Sequence, residues 1–174
     1  MIGEFSMLVK PKNKNGTVAF LCSLTVGLIL FVLSASLERY RGVVALVAVI
    51  FIVYALYVFT KYVSIEYHYD IAIIDGEPML IVRQRIGKRN SVSCRILLSE
   101  ITDVKYETRE QRAAHKTPEE YKRYVYTVTM GVADTVRLTV NSRYEKCEVV
   151  LECGIEVADY LASCVAQAKA ESEE

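Results

Sequence analysis

The sequence lacks the short motifs by which nucleotide-binding and zinc enzymes are commonly recognised. It contains no glycine-rich phosphate loop, no HExxH pair and no CxxC. Its two histidines, His68 and His115, have no Cys or Asp at a spacing typical of a catalytic set. We therefore expect no catalytic residue, no cofactor and no metal site. An enzyme would have to enclose His68 or Cys147 in a pocket.

A net charge of one sign is also missing, because 21 basic residues balance 21 acidic ones. Residues 1–63 nevertheless carry a net charge of +4, and residues 64–174 one of −4. An acidic domain is not expected to bind nucleic acid, since nucleic-acid-binding domains usually have a basic excess. The five cysteines are odd in number and irregularly spaced, unlike a disulfide framework. Free thiols favour a reducing compartment, the cytoplasm.

Charge is absent from two long apolar runs near the N-terminus. They cover residues 17–37 and 42–60, and each has the length of about 20 apolar residues that a helix needs to cross a bilayer. We expect spans over residues 17–37 and 42–62. Their short connection predicts an antiparallel transmembrane hairpin over residues 17–63, preceded by a tail of residues 1–16.

Lysines on both outer flanks of this hairpin outnumber Arg39 and Arg41 in its turn. This bias favours both termini on the cytoplasmic side of a cell membrane, plasma or inner. A cleaved signal peptide ending near Ser36 is the alternative, and it would leave one span. Because no Asp, Glu, Lys, Arg or His lies inside the runs, an anchor is favoured over a channel subunit.

Alternating apolar residues predict seven β-strands after the hairpin, and a helical period then predicts a C-terminal helix. A helix start is expected inside the polar loop at Thr117–Pro118, with Thr as cap and Pro at the first position. The acidic residues 171–174 are expected to form a solvated tail. The predicted strands cover residues 64–74, 79–86, 91–98, 101–108, 124–130, 136–140 and 147–153, and the helix covers residues 155–170.

This order of elements, together with the segment ILLSEITDV over residues 96–104, resembles the bacterial pleckstrin-homology-like (PH-like) domains. Two N-terminal transmembrane helices before the domain also fit that family. Over residues 64–170 the resemblance implies a seven-strand β-barrel or sandwich capped by a C-terminal α-helix, giving an α+β membrane protein. It further implies a binding or assembly module with a protein partner or its own copies, and not an enzyme.

Two candidate sites follow from charge. A basic group surrounds the second predicted turn and is a candidate for contact with anionic lipid headgroups; the alternative is a solvated surface. The loop over residues 109–123 is a candidate for protein docking, since functional loops are common on rigid scaffolds; the alternative is a flexible solvated segment. The lipid group is Arg83, Arg85, Lys88, Arg89 and Arg95, and the possible partner loop contributes Arg109, Arg112, His115, Lys116 and Tyr121.

Together these observations predict a non-catalytic integral membrane protein that presents a cytoplasmic domain at the inner leaflet. Protein–protein interaction or self-assembly is the expected role. Binding of anionic lipid through the basic turn is the alternative, and a membrane-bound enzyme or channel subunit is less expected.

Overall fold

The chain folds into two compact units in a computed structural model that describes residues 5–10, 14–130, 134–142 and 144–172. The helical unit contains Pro11–Ile65. The sheet unit combines Met1–Lys10 with Glu66–Glu174. The segment that precedes the apolar helices thus belongs to the same unit as the domain that follows them.

The helical unit contains α1 (Lys14–Ser36) and α2 (Arg41–Val58), and a π-helical turn, Phe59–Val63, continues α2. Both helices are long and apolar enough to cross a membrane, with hydropathies of 2.5 over Asn15–Ser36 and 2.8 over Arg41–Val63. Only 11% and 17% of these windows is buried, so neither helix is covered as a soluble core helix would be. The orientation of the hairpin stays a prediction.

Small residues lie where α1 and α2 meet. A Cβ atom added to Gly27 would lie 2.9 Å from Cγ1 of Ile52 and 3.3 Å from the carbonyl oxygen of Ala48. Ala48 and Ala55 are fully buried on α2. Small side chains allow two helix backbones to approach closely in an apolar environment, so Gly27 lies at a position of close approach between the helices.

The first sheet of the sheet unit, sheet A, has four antiparallel strands in the order β1-β2-β3-β4. Asp75 and Gly76 connect β2 to β3 with φ angles of 55° and 85°, as a two-residue type I′ hairpin turn requires. The strands are β1 (Phe5–Val9), β2 (Ile65–Ile74), β3 (Glu77–Ile86) and β4 (Arg89–Leu97).

The second sheet, sheet B, has the order β5-β7-β8-β6. Its β6 strand runs parallel to β8, whereas β7 is antiparallel to both β5 and β8. The strands are β5 (Ile101–Glu107), β6 (Lys122–Tyr126), β7 (Thr135–Asn141) and β8 (Lys146–Leu151), and the helices of this unit are α3 (Arg109–Ala114) and α4 (Ile155–Ser172).

Buried residues of both sheets and of the inner face of α4 form the core of the sheet unit. Val136, Leu138, Val149 and Leu151 are fully buried on the two central strands. On α4 the buried positions recur at helical spacing, as predicted for an amphipathic helix: Ala158, Leu161, Cys164, Val165 and Ala168. The α+β class is therefore confirmed, but the described strands form two sheets and not a closed barrel. The PH-like resemblance stays a prediction.

The predicted N-terminal tail is wrong in one respect, because Phe5–Val9 forms β1 and gives eight described strands instead of seven. Its register pairs Phe5 with Ile71 and Val9 with Tyr67. Ser6 donates a hydrogen bond of 2.6 Å to Asp70, and the Phe5 ring lies 5.0 Å from the ring of Tyr160 on α4. Part of the tail is thus an edge strand.

The helix predicted at Thr117–Pro118 is also wrong, since α3 begins at Arg109, nine residues before the predicted first position at Pro118. Thr108 is its cap and forms a capping box with Gln111, whose side chain accepts a 3.1 Å bond from the Thr108 N–H. The reciprocal pair of bonds satisfies two otherwise free N–H groups. At the other end of the chain, α4 extends to Ser172, while residues 173–174 of the predicted tail lie outside the described residues.

Deleting residues 1–9 should leave β2 as an edge strand that is paired only with β3. We expect the amide hydrogens of residues 67–71 to exchange at least about tenfold faster in the truncated chain, because exchange follows local opening. Hydrogen–deuterium exchange with mass spectrometry of the detergent-solubilised protein measures this. As a control, Leu8→Thr alters an exposed β1 side chain and should leave the exchange rates unchanged. Unchanged rates after the deletion would contradict the β1–β2 pairing.

Candidate functional site

The second face of sheet B carries charged residues that are nonetheless buried. Glu107, Arg137 and Glu148 are 2%, 9% and 3% exposed. They lie on β5, β7 and β8, and the loop that contains α3 contacts them through two side chains. We define the charged cluster as Glu107, Thr135, Arg137 and Glu148 of the sheet with His115 and Thr117 of the loop.

Arg137 is the central cation of the charged cluster. Its Nε lies 3.1 Å from Oε1 of Glu107, and its Nη1 donates a 3.2 Å bond to Oε1 of Glu148. Nη1 also lies 2.8 Å from Nδ1 of His115, while Nε2 of that ring lies 3.0 Å from Oε1 of Glu148. Nε2 is in close contact with Nη1 of Arg137 as well, so the His115 ring lies against the cation and the Glu148 carboxylate at once.

Glu148 stays ionised in this setting. Burial by itself would raise the pKa of its carboxyl, but hydrogen bonds from Thr117 and His115 and the charge of Arg137 outweigh that effect and hold the pKa below its ordinary value. The Thr117 bond is 2.7 Å long. The carboxylate therefore joins the loop to two strands.

Three polar atoms of the charged cluster have no hydrogen-bond partner among the described residues: Oε2 of Glu107, Oγ1 of Thr135 and Nε of Arg137. The Arg137 Nε is within ion-pair distance of Glu107, yet its N–H does not point along that line. Charge attraction, more than ideal hydrogen bonding, thus holds Glu107. A buried ion pair of this kind is costly to break, because the remaining charge stays desolvated.

The predicted partner loop is held against the sheet through His115. Arg109 and Lys116 are exposed, whereas Arg112 is half-buried. Tyr121 is half-buried as well, and the ammonium group of Lys146 lies 6.0 Å from its ring centre. The five predicted residues therefore do not form one common exposed surface.

The five residues of the predicted lipid group do not form one surface, because they lie in three different settings. Arg83 forms an ion pair of 3.4 Å with Asp70, and Arg85 one of 3.9 Å with Glu66. The other three have no ion pair to a described acid. Lys88 and Arg89 lie at the β3–β4 turn, while Arg95 lines a cleft elsewhere on β4.

That cleft opens between the free edges of the two sheets and has a volume of about 320 Å³. Tyr126 crosses it: its hydroxyl donates a long 3.5 Å bond to the carbonyl oxygen of Ser93 on β4. Its ring meets the ring of Tyr67 edge-on at 5.7 Å. The cleft is lined by Ser93, Cys94, Arg95, Ile96, Glu100, Tyr124, Tyr126, Val140, Ser142, Tyr144, Glu145 and Cys147.

Ion pairing closes one side of this cleft. The Tyr124 hydroxyl donates to Oε1 of Glu145 at 3.0 Å, and Nζ of Lys122 donates to Oε2 of the same carboxylate at 2.7 Å. Both bonds lower the pKa of Glu145. The charge of the Glu145 carboxylate, which lines the cleft, is therefore balanced by Lys122.

An enzyme was expected to enclose His68 or Cys147 in a pocket, and Cys147 does line the cleft, together with Cys94. Burial raises the pKa of both thiols and of the Tyr126 hydroxyl. No histidine is among the lining residues, and His68 lies on β2 opposite Leu8. Since the thiolate is the reactive form of cysteine, these thiols are poorly suited to nucleophilic attack. In the part of the chain that the structure describes, no three His, Cys, Asp or Glu side chains are grouped to hold a metal ion.

Sequence reasoning missed the charged cluster and the cleft. Glu107, Arg137 and Glu148 alternate with apolar residues, and that pattern normally predicts a solvent face. The usable signal was their complementary charge, but it becomes visible only once β7 is placed between β5 and β8.

No known protein family matches the sequence, and no curated protein matches it either. The site must therefore be interpreted from its own geometry.

Replacing Arg137 with Met should destabilise the sheet unit by about 3–5 kcal/mol, because Glu107 and Glu148 would remain buried without their cation. Unfolding in detergent, followed by circular dichroism, measures the change. The exposed Arg123→Met is the control and should change stability by less than about 0.5 kcal/mol. Adding Glu107→Gln and Glu148→Gln to Arg137→Met should recover part of the loss. Equal stability of Arg137→Met and the wild type would contradict a charge-held cluster.

Alkylation of Cys94 and Cys147 by iodoacetamide at neutral pH should be at least about tenfold slower than in the same chain unfolded in detergent. The raised pKa leaves little thiolate in the folded protein, and the rate should keep rising above pH ~9, where an ordinary thiol with a pKa of about 8.5 has nearly levelled off. Peptide mass spectrometry over a pH series measures both rates. Fast labelling at neutral pH would instead favour a nucleophilic cysteine.

Proposed function

We propose that this chain is a non-catalytic, membrane-anchored module that binds an extended segment of a partner protein at the cytoplasmic face. The two apolar helices support the anchoring. The cleft between the free edges of β4 and β6 is the observation that carries the binding function. The resemblance to PH-like domains beside transmembrane helices agrees with such a role.

Both edges offer backbone groups to an incoming strand. Among the described residues, β4 pairs only with β3, and β6 pairs only with β8. Unpaired N–H and C=O groups on an edge strand are a template for adding another strand. The 3.5 Å bond from Tyr126 to Ser93 is at the limit of hydrogen-bond length, so an amide of the incoming segment would replace it at little cost.

The charge of the two edges favours a different protein over a second copy. Arg89 and Arg95 lie on β4 and Arg123 lies on β6, none of the three has an ion pair to a described acid, and neither strand contains an acidic residue. Pairing two copies through these edges would bring like charges together, which destabilises cross-strand contacts. We therefore expect a partner segment that is neutral or acidic.

Photo-crosslinking in the membranes of the native host tests the proposal. A benzophenone amino acid replaces Tyr144, a 95% exposed residue at the cleft, or, as a matched control, Ile73, which is 57% exposed and lies on β2. We expect a protein adduct from position 144 and none from position 73. A synthetic peptide with the crosslinked sequence should then slow amide exchange in β4 or β6 of the purified chain.

A second test of the proposal fills the cleft with a larger side chain. Cys94→Trp should abolish the adduct, whereas Cys22→Trp, at an exposed cysteine in α1, should not. Amide exchange of α4 checks that the Cys94→Trp chain stays folded. An adduct between two copies of this chain, or one that persists in folded Cys94→Trp, would contradict the proposal.

A further inference from the structure

The two connections between the units lie at one end of sheet A. Val9, the last residue of β1, pairs with Tyr67 near the start of β2. Lys10 is the last residue of the sheet unit before the helical unit, and Glu66 is the first residue after it. The chain therefore leaves and re-enters the sheet unit at neighbouring points.

The β3–β4 turn lies at this same end. The two-residue turn at Asp75 and Gly76 sends β3 back along β2, and Arg85 near the end of β3 forms its ion pair with Glu66 at the start of β2. The next turn, at Gly87 and Lys88, follows directly. The position of this turn is set by strand register and not by a flexible loop.

Covalent geometry keeps this end close to the second apolar helix. Glu66 is the third residue after Val63, where the helical segment ends, and an extended chain advances at most about 3.6 Å per residue. The start of β2 is thus within about 11 Å of that helix end for any orientation of the two units.

Free cations collect at this end of the sheet. Lys10, Lys88 and Arg89 are exposed, and none has an ion pair to a described acidic residue. Ile86 and Val92 beside the turn are 41% and 46% exposed. Basic side chains near a membrane surface are attracted to anionic lipid by about 1 kcal/mol each, and neighbouring apolar side chains suit the boundary between headgroups and acyl chains.

We infer that this end of sheet A, with Lys10, Lys88 and Arg89 as its cations, is a contact surface for the anionic headgroups of the bilayer that holds the hairpin. The inference rests on the membrane anchoring of the proposed function but not on the cleft. It differs from the predicted lipid group, because Arg83 and Arg85 are paired with acids and Arg95 lines the cleft.

The absence of tryptophan from the chain makes a direct test possible. Ile86→Trp places a single fluorophore beside the turn, and Ile73→Trp places one near the opposite end of β2, about 26 Å away along the strands. Each full-length chain is reconstituted into nanodiscs of phosphatidylcholine, alone or mixed with phosphatidylglycerol, that contain a dansyl-labelled lipid. Energy transfer from tryptophan to dansyl measures how closely each site approaches the headgroups.

Anionic lipid should raise transfer from the Ile86→Trp chain at least about twofold and leave the Ile73→Trp chain unchanged. This increase in energy transfer should disappear when added salt shortens the Debye length from about 10 Å to about 3 Å. It should also disappear with Lys88→Glu and Arg89→Glu, but not with the exposed loop pair Arg109→Glu and Lys116→Glu, which changes the net charge equally.

Each failure has its own meaning. If the chain enters the discs but anionic lipid does not raise the energy transfer, the lipid contact is wrong and the membrane anchoring still holds. The same follows if the transfer rises but neither salt nor Lys88→Glu with Arg89→Glu removes the rise. A chain that alkaline carbonate strips from membranes overturns the anchoring, and the lipid contact with it. The crosslinking at position 144 reports on the cleft independently of both.

Discussion

The pairing of β1 with β2 is the constraint on which the arrangement of this chain depends. One strand precedes the two apolar helices and the other follows them, so a single antiparallel ladder joins both ends of the hairpin. The ladder places the outgoing and incoming connections at one end of sheet A. Through β3 the same register brings the basic turn to that end, and a local hydrogen-bond pattern thereby groups this turn with the two connections to the helical unit.

Sheet B meets a different requirement, because both of its faces are covered. One face packs in the apolar core, while Arg137 on the other is surrounded by two carboxylates and a histidine. Burial of these charges is tolerated only while all partners are present, which ties the loop to the sheet. The loop is therefore part of the scaffold, and the surfaces proposed for recognition are the open side of the sandwich and the end of sheet A.

Patterns of period 2 and 3.6 were sufficient to predict the strands from β2 to β5, most of β7 and β8, and α4, because each contains its own apolar periodicity. They were insufficient for β1, whose five residues gain strand structure only from β2, far along the sequence. The parallel β6–β8 pair and the meeting of Glu107, Arg137 and Glu148 depend in the same way on long-range register. The basic residues near the second turn were found, but their ion pairs were not, since Asp70 and Glu66 lie on another strand.

The position of β1 also has a consequence in time. During translation β1 is synthesised before both apolar helices, and its partner β2 is synthesised only after them. Sheet A consequently cannot be completed before both helices have left the ribosome. Completion of the sheet thus depends on synthesis of the helical unit, and a nascent chain interrupted within the hairpin would contain β1 without the strand with which it pairs.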